Sequence, residues 1–126
     1  MTASVELTPA PSGGDDRILV VALTGALDYS NADRLRENVG DTLAPEHREL
    51  VLDLSGLEFC DSTGLRTLLD IRELLGERGG AVSLVNLNAR LTKMFRITGL
   101  IKAFSVTTDL AEALGAARAR IRSSSD

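Results

Sequence analysis

Short apolar runs alternate along the chain with stretches in which apolar residues recur every three or four positions. The runs suit strands covered on both faces and the spaced positions suit helices with one buried stripe, so the pattern predicts strands and helices in turn on a mostly parallel sheet. Val5 and Leu7 predict a weak edge strand. After a turn region from Pro9 to Asp16, Ile18 to Leu23 predicts a central strand that Gly25 is expected to end. Ser30 or Asn31 can cap the next helix, where Ala32, Leu35, Val39 and Leu43 share one face and Pro45 lies past the end.

Leu50 to Leu54 predicts a second buried strand, and Ser55 to Cys60 is expected to be a loop leading to Asp61-Ser62-Thr63-Gly64. A helix begins there, with Leu65, Leu68, Leu69, Ile71 and Leu75 as its stripe. Arg72 falls on that stripe and must reach water or a partner. Gly79-Gly80 stops the helix, Ala81 to Val85 predicts a strand, and Asn88 can cap a helix bearing Leu91, Met94 and Phe95 that Gly99 closes. Phe104 to Val106 predicts a last short strand. Asp109 and Glu112 resemble a capping pair for a final helix with Leu110, Ala113, Leu114, Ala117 and Ile121 inward.

Composition narrows the functional classes. A chain of 126 residues, 44% hydrophobic, can bury one core. Its net charge of -4, with three Phe, one Tyr and no Trp, offers phosphate backbones and bases little, which argues against direct nucleic-acid binding. Cys60 alone can form neither an internal disulfide nor a structural zinc site, which suits a reducing cytoplasm. Met1 to Gly14 lacks the basic start and apolar run of a signal peptide, and no segment approaches the ~20 apolar residues of a membrane span.

The segment from Leu57 to Leu65 places an acid and two hydroxyls where the chain leaves a strand and enters a helix. Sites in open α/β sheets are built at the carboxyl ends of strands, and a helix start with free N–H groups tolerates an anion. The plain alternative is that Asp61 or Ser62 is a helix cap worth ~1 kcal/mol and that Gly64 permits close packing.

In its wider pattern the chain resembles the STAS domain family and, within it, the bacterial anti-sigma factor antagonists. The resemblance rests on Gly25-Ala26-Leu27-Asp28, Asp53-Leu54-Ser55-Gly56 and Asp61-Ser62-Thr63-Gly64-Leu65, then Asn88 to Arg90, Thr98-Gly99-Leu100, Phe104 and Leu110 to Leu114. It implies a single α/β domain over residues 4–122, with a mixed sheet of about five strands and about four helices, and loose ends at 1–3 and 123–126. It also implies that Ser62 accepts a phosphate, with Thr63 as the runner-up. The partner would be an anti-sigma factor that is itself a serine kinase, with ATP bound by that partner and a serine phosphatase reversing the modification. Asp28, Asp61, Ser62, Thr63, Gly64 and Leu65 would form the partner surface. Asp28 could equally anchor the turn into the first helix.

Other candidates carry less chemistry. His47 lies in a polar loop, so it reads as a solvated residue, and no catalytic triad can be assembled. Ser62 lacks the Gly-x-Ser-x-Gly frame of a hydrolase, and neither a Walker motif nor a dinucleotide fingerprint occurs. Cys60 reads as a small core residue and Arg118, Arg120 and Arg122 as the solvated end of the last helix. The expectation is a binding protein with no cofactor and no metal. One rival is a family member that is never phosphorylated and acts as a scaffold or ligand sensor. The other is an enzyme using Cys60 or a flavodoxin-like nucleotide site.

Overall fold

The computed structural model describes residues 4–124. Its elements are β1 (Val5–Ala10), β2 (Ile18–Leu27), α1 (Ala32–Thr42), β3 (Glu49–Cys60), α2 (Ser62–Glu77), β4 (Val82–Val85), α3 (Ala89–Thr98), β5 (Ser105–Thr107) and α4 (Leu110–Ser124), with a 3-10 turn at Leu100–Lys102. The strands form one sheet in sequence order, β1 antiparallel to β2 and all other pairs parallel. This is the expected α/β architecture of five strands and four helices.

Strand parity sets the layers. Leu19, Val21 and Leu23 of β2, with Leu50, Leu52 and Leu54 of β3, pack against Leu35 and Val39 of α1, Leu68 and Ile71 of α2, and Leu91 and Phe95 of α3. The alternate residues Ile18, Val20, Val51 and Val85 face Ala113, Leu114, Ala117 and Ile121 of α4. Because the parallel strands advance in one direction, their crossover helices share a face and α4 covers the other.

The two central strands are longer than the sequence pattern suggests. Gly25 does not end β2; it sits inside it at φ +100, and a Cβ there would lie 2.1 Å from the Ser4 carbonyl oxygen. That carbonyl accepts the Ala26 N–H at 2.9 Å, so the residue lets two backbones meet. Ser55 to Cys60 is likewise strand, not loop. Thr24 pairs with Gly56 and Ala26 with Phe59, two register shifts that each place an extra residue on β3. Leu54, Leu57 and Cys60 are therefore all buried at a spacing of three, where alternation would require two.

Smaller differences have local causes. Pro9 belongs to β1, where an edge strand tolerates its missing N–H. Ser123 and Ser124 continue α4 where a loose end at 123–126 was expected, and 1–3 and 125–126 lie outside the described residues. Arg72 meets the need its position creates by donating to the Ala103 carbonyl.

Arg120 corrects the picture of a solvated arginine-rich end. Its Nη2 lies 2.7 Å from Oε1 of Glu49, which is only 2% exposed, and 3.0 Å from Ser83 Oγ. Glu49 Oε2 accepts the Ala81 N–H at 2.9 Å. The carboxylate thus ties α4 to the amino-terminal ends of β3 and β4. Gly64 is fixed by packing: a Cβ there would lie 2.7 Å from Cys60 Sγ, 2.8 Å from Leu27 Cγ and 3.1 Å from the Leu27 carbonyl oxygen.

Two outcomes follow for stability. Arg120→Ala strands a buried carboxylate and should cost about 2–4 kcal/mol in chemical denaturation, and the loss should shrink markedly in a Glu49→Gln background. Equal losses in both backgrounds would show that the ion pair is not the source. Gly64→Val overpacks the start of α2 and should cost about 1–3 kcal/mol, read as a lowered melting temperature. An unchanged melt would show that the surrounding residues yield freely.

Candidate functional site

The extension of β2 and β3 to Leu27 and Cys60 brings their carboxyl ends out together. The Asp61 N–H donates to the Leu27 carbonyl at 3.1 Å, which holds the turn from β3 into α2 against the end of β2. Asp61 is the helix cap: its Oδ1 accepts the Gly64 N–H at 2.8 Å. Its Oδ2 accepts the Tyr29 N–H at 3.0 Å from the turn before α1. One carboxylate therefore fixes two loops, with both oxygens engaged by backbone donors.

That turn has its own lock. Asp28 Oδ1 accepts both the backbone N–H and the hydroxyl of Ser30. Asn31 Oδ1 accepts the Asp28 N–H at 3.0 Å, and its amide nitrogen donates to the Ala26 carbonyl at 2.9 Å. Asp28 is thus a turn anchor, as one reading of the sequence held, and it lies beside the Asp61 loop through Tyr29. Asn31 occupies the cap position of α1 without capping it by its side chain.

Ser62 is the first residue of α2, and both it and Thr63 are exposed with hydroxyls that have no partner among the described residues. Gly64 and Leu65 turn inward. Leu65 is 6% exposed in the main core, so it holds the helix down and offers a partner little surface. Two aromatic residues that the sequence reading did not single out stand beside this loop instead. Tyr29 is 79% exposed and Phe59, two residues before Asp61, is 41% exposed. Tyr29 could have been noticed as an aromatic next to Asp28, whereas Phe59 was hidden by the reading of its segment as loop.

The group that the start of α2 exposes is a hydroxyl. Each Asp61 oxygen already accepts one backbone N–H, and His47 precedes β3, at the opposite end of that strand from Ser62. His47 is not simply solvated either, since its Nδ1 accepts the Ala44 N–H at 2.8 Å and closes the turn after α1. Cys60 is 1% exposed; burial first, and then the nearby Asp61 charge, push its thiol up to about 12. It stays protonated at neutral pH and is a poor nucleophile. Among the described residues no group of three His, Cys, Asp or Glu could hold a metal, and no helix is long and apolar enough to cross a membrane.

Comparison with known proteins agrees with this fold. The STAS domain model matches residues 12–113. The anti-sigma-F factor antagonist RsfB of Mycobacterium tuberculosis is 31% identical over 117 residues, 91% of each chain. The crystal structure of an anti-sigma factor antagonist from Mycobacterium paratuberculosis superposes with a TM-score of 0.77 at 31% identity, over 91% of this chain and 95% of that one. The antagonist SpoIIAA in its unphosphorylated form shares the fold at 21% identity, with a TM-score of 0.74 over 90% of this chain and 97% of its own. In its phosphorylated form, that of a Bacillus cell fate determinant, the TM-score is 0.64 over 87% and 97%. A match across most of the domain, with relatives of this kind at full length, leaves one assignment: the chain belongs to the STAS domain family, alongside the anti-sigma factor antagonists.

Proposed function

We propose that this protein is an anti-sigma factor antagonist that acts in the cytoplasm by binding an anti-sigma factor serine kinase, so that a sigma factor is released, and that phosphorylation of Ser62 ends the interaction. The observation that carries this reading is the Ser62 hydroxyl, exposed on the first turn of α2 with no partner among the described residues, while both oxygens of Asp61 beside it accept backbone N–H groups. The names of the relatives support the antagonist role, and SpoIIAA is known in both phosphorylated and unphosphorylated forms. The partner binds ATP and a serine phosphatase restores the active form; the protein itself is not an enzyme.

The switch is electrostatic. A phosphate adds about -1.5 to -2 charges. In the free protein the start of α2 gives an anion about 0.3–1 kcal/mol, which roughly offsets repulsion from Asp61 screened by water and salt. At a docked surface the same charge loses its water without a partner, at a cost of a few kcal/mol, which is a hundredfold or greater loss of affinity. Tyr29 and Phe59 supply the apolar contact area around the acceptor.

Incubation with the cognate kinase and ATP should place one phosphate on Ser62, read by peptide mapping; phosphate confined to Thr63 or the terminal serines would overturn the site. In titrations, Ser62→Ala should bind the kinase like wild type and resist inactivation, while Ser62→Asp should lose part of the affinity because a carboxylate carries less charge. Thermal melts of all forms should nearly coincide. A phosphoprotein that binds the kinase as tightly as before would refute the mechanism.

A further inference from the structure

A cavity of about 680 Å³ opens at the carboxyl ends of β4 and β5, bounded by α3 and the 3-10 turn. The size suits a small organic ligand, and the strand ends of a parallel sheet are where such ligands bind. Leu87, Ile101, Phe104 and Val106 give it an apolar wall. Its polar lining includes the Arg96 side chain and the hydroxyl residues Thr92 and Thr108. Arg96 has no ion-pair or side-chain hydrogen-bond partner among the described residues, although both salt bridges found there engage other arginines. The chain reaches the cavity through Asn86, the one non-glycine described residue with positive φ, at +63.

We infer that this cavity binds a small amphipathic anion, its apolar body on the Ile101–Phe104–Val106 wall and its carboxylate or comparable head on Arg96 and the threonine hydroxyls. Acids do not line the cavity, so the cation is free for a ligand. Arginine with neighbouring hydroxyls is a donor set for a carboxylate. The inference does not depend on Ser62 or on the kinase.

Octanoate is a suitable probe, with octanol as its neutral counterpart, and binding can be followed by amide chemical shifts in the full chain. Octanoate should saturate and shift Leu87, Thr92, Arg96 and Thr107. Arg96→Gln, a change at an exposed position, should weaken octanoate about tenfold and leave octanol unchanged. Thr92→Trp should block both, once its melt shows that it folds; if it does not fold, Arg96→Gln decides alone. Absence of saturation, shifts scattered away from the cavity, or equal octanoate affinity in Arg96→Gln and wild type would overturn the inference.

Discussion

The parallel pairing of β2 with β3 is the constraint on which the rest depends. It runs from Ile18–Glu49 to Leu27–Cys60 and absorbs two extra residues on β3 without leaving the sheet. Were the pairing to stop at Ala22–Asp53, as the apolar runs alone suggest, the turn after β2 and the start of α2 would have no common support. Because it continues, the Asp61 N–H meets the Leu27 carbonyl and the Asp61 carboxylate meets the Tyr29 N–H. Ser62 is then placed on the outside of a tightly held corner. Gly64, with Leu27 and Cys60 beneath it, is the residue that lets the helix start so close to both strand ends.

Most of the fold was legible because its signals are local and agree with one another. The inward stripes of α1, α2 and α4, the Asn88 cap that accepts the Leu91 N–H at 2.8 Å, and Gly99 at the end of α3 are each readable from spacing and residue type. What was missed is non-local. A bulged strand with a buried spacing of three has no period-two signature, so Ser55–Cys60 read as loop. The partnership of Glu49 with Arg120 spans 71 residues and has no counterpart in either local sequence. The Asp61 cap was visible because a cap followed by a helix is a local signal, whereas the role expected of Ser62 came from the resemblance to a family. The exposure of Tyr29 and Phe59 is a property of the assembled surface.

The two polar anchors divide the labour between the ends of the sheet. Glu49, 2% exposed, ties α4 across the amino-terminal ends of β3 and β4. Asp61, at the carboxyl end of the same strand, holds the two loops together, while the Ser62 and Thr63 hydroxyls beside it stay exposed. An ionised carboxylate only accepts hydrogen bonds, so Asp61 offers an incoming anion no donor. An anion attached at Ser62 must therefore find its stabilisation in the first-turn N–H groups and in water.

This bears on how a modification at Ser62 would be read by a partner. The inner face of α2 carries Leu65, Leu68, Ile71 and Leu75, none more than 6% exposed, in a core packed against β3 and the helices on either side. Close-packed interiors resist small displacements, so a charge on the outer rim of this helix has little means of rearranging the domain beneath it. A modification shifts a conformational equilibrium only as far as it interacts differently with two states, and a rim charge meets nearly the same surroundings in any state that keeps this core. The difference large enough to act as a signal lies between the solvated rim and a rim covered by another protein. Under the proposed function, the reader of such a modification would be the desolvation of the interface, and the corner held by Asp61 would keep that reading local.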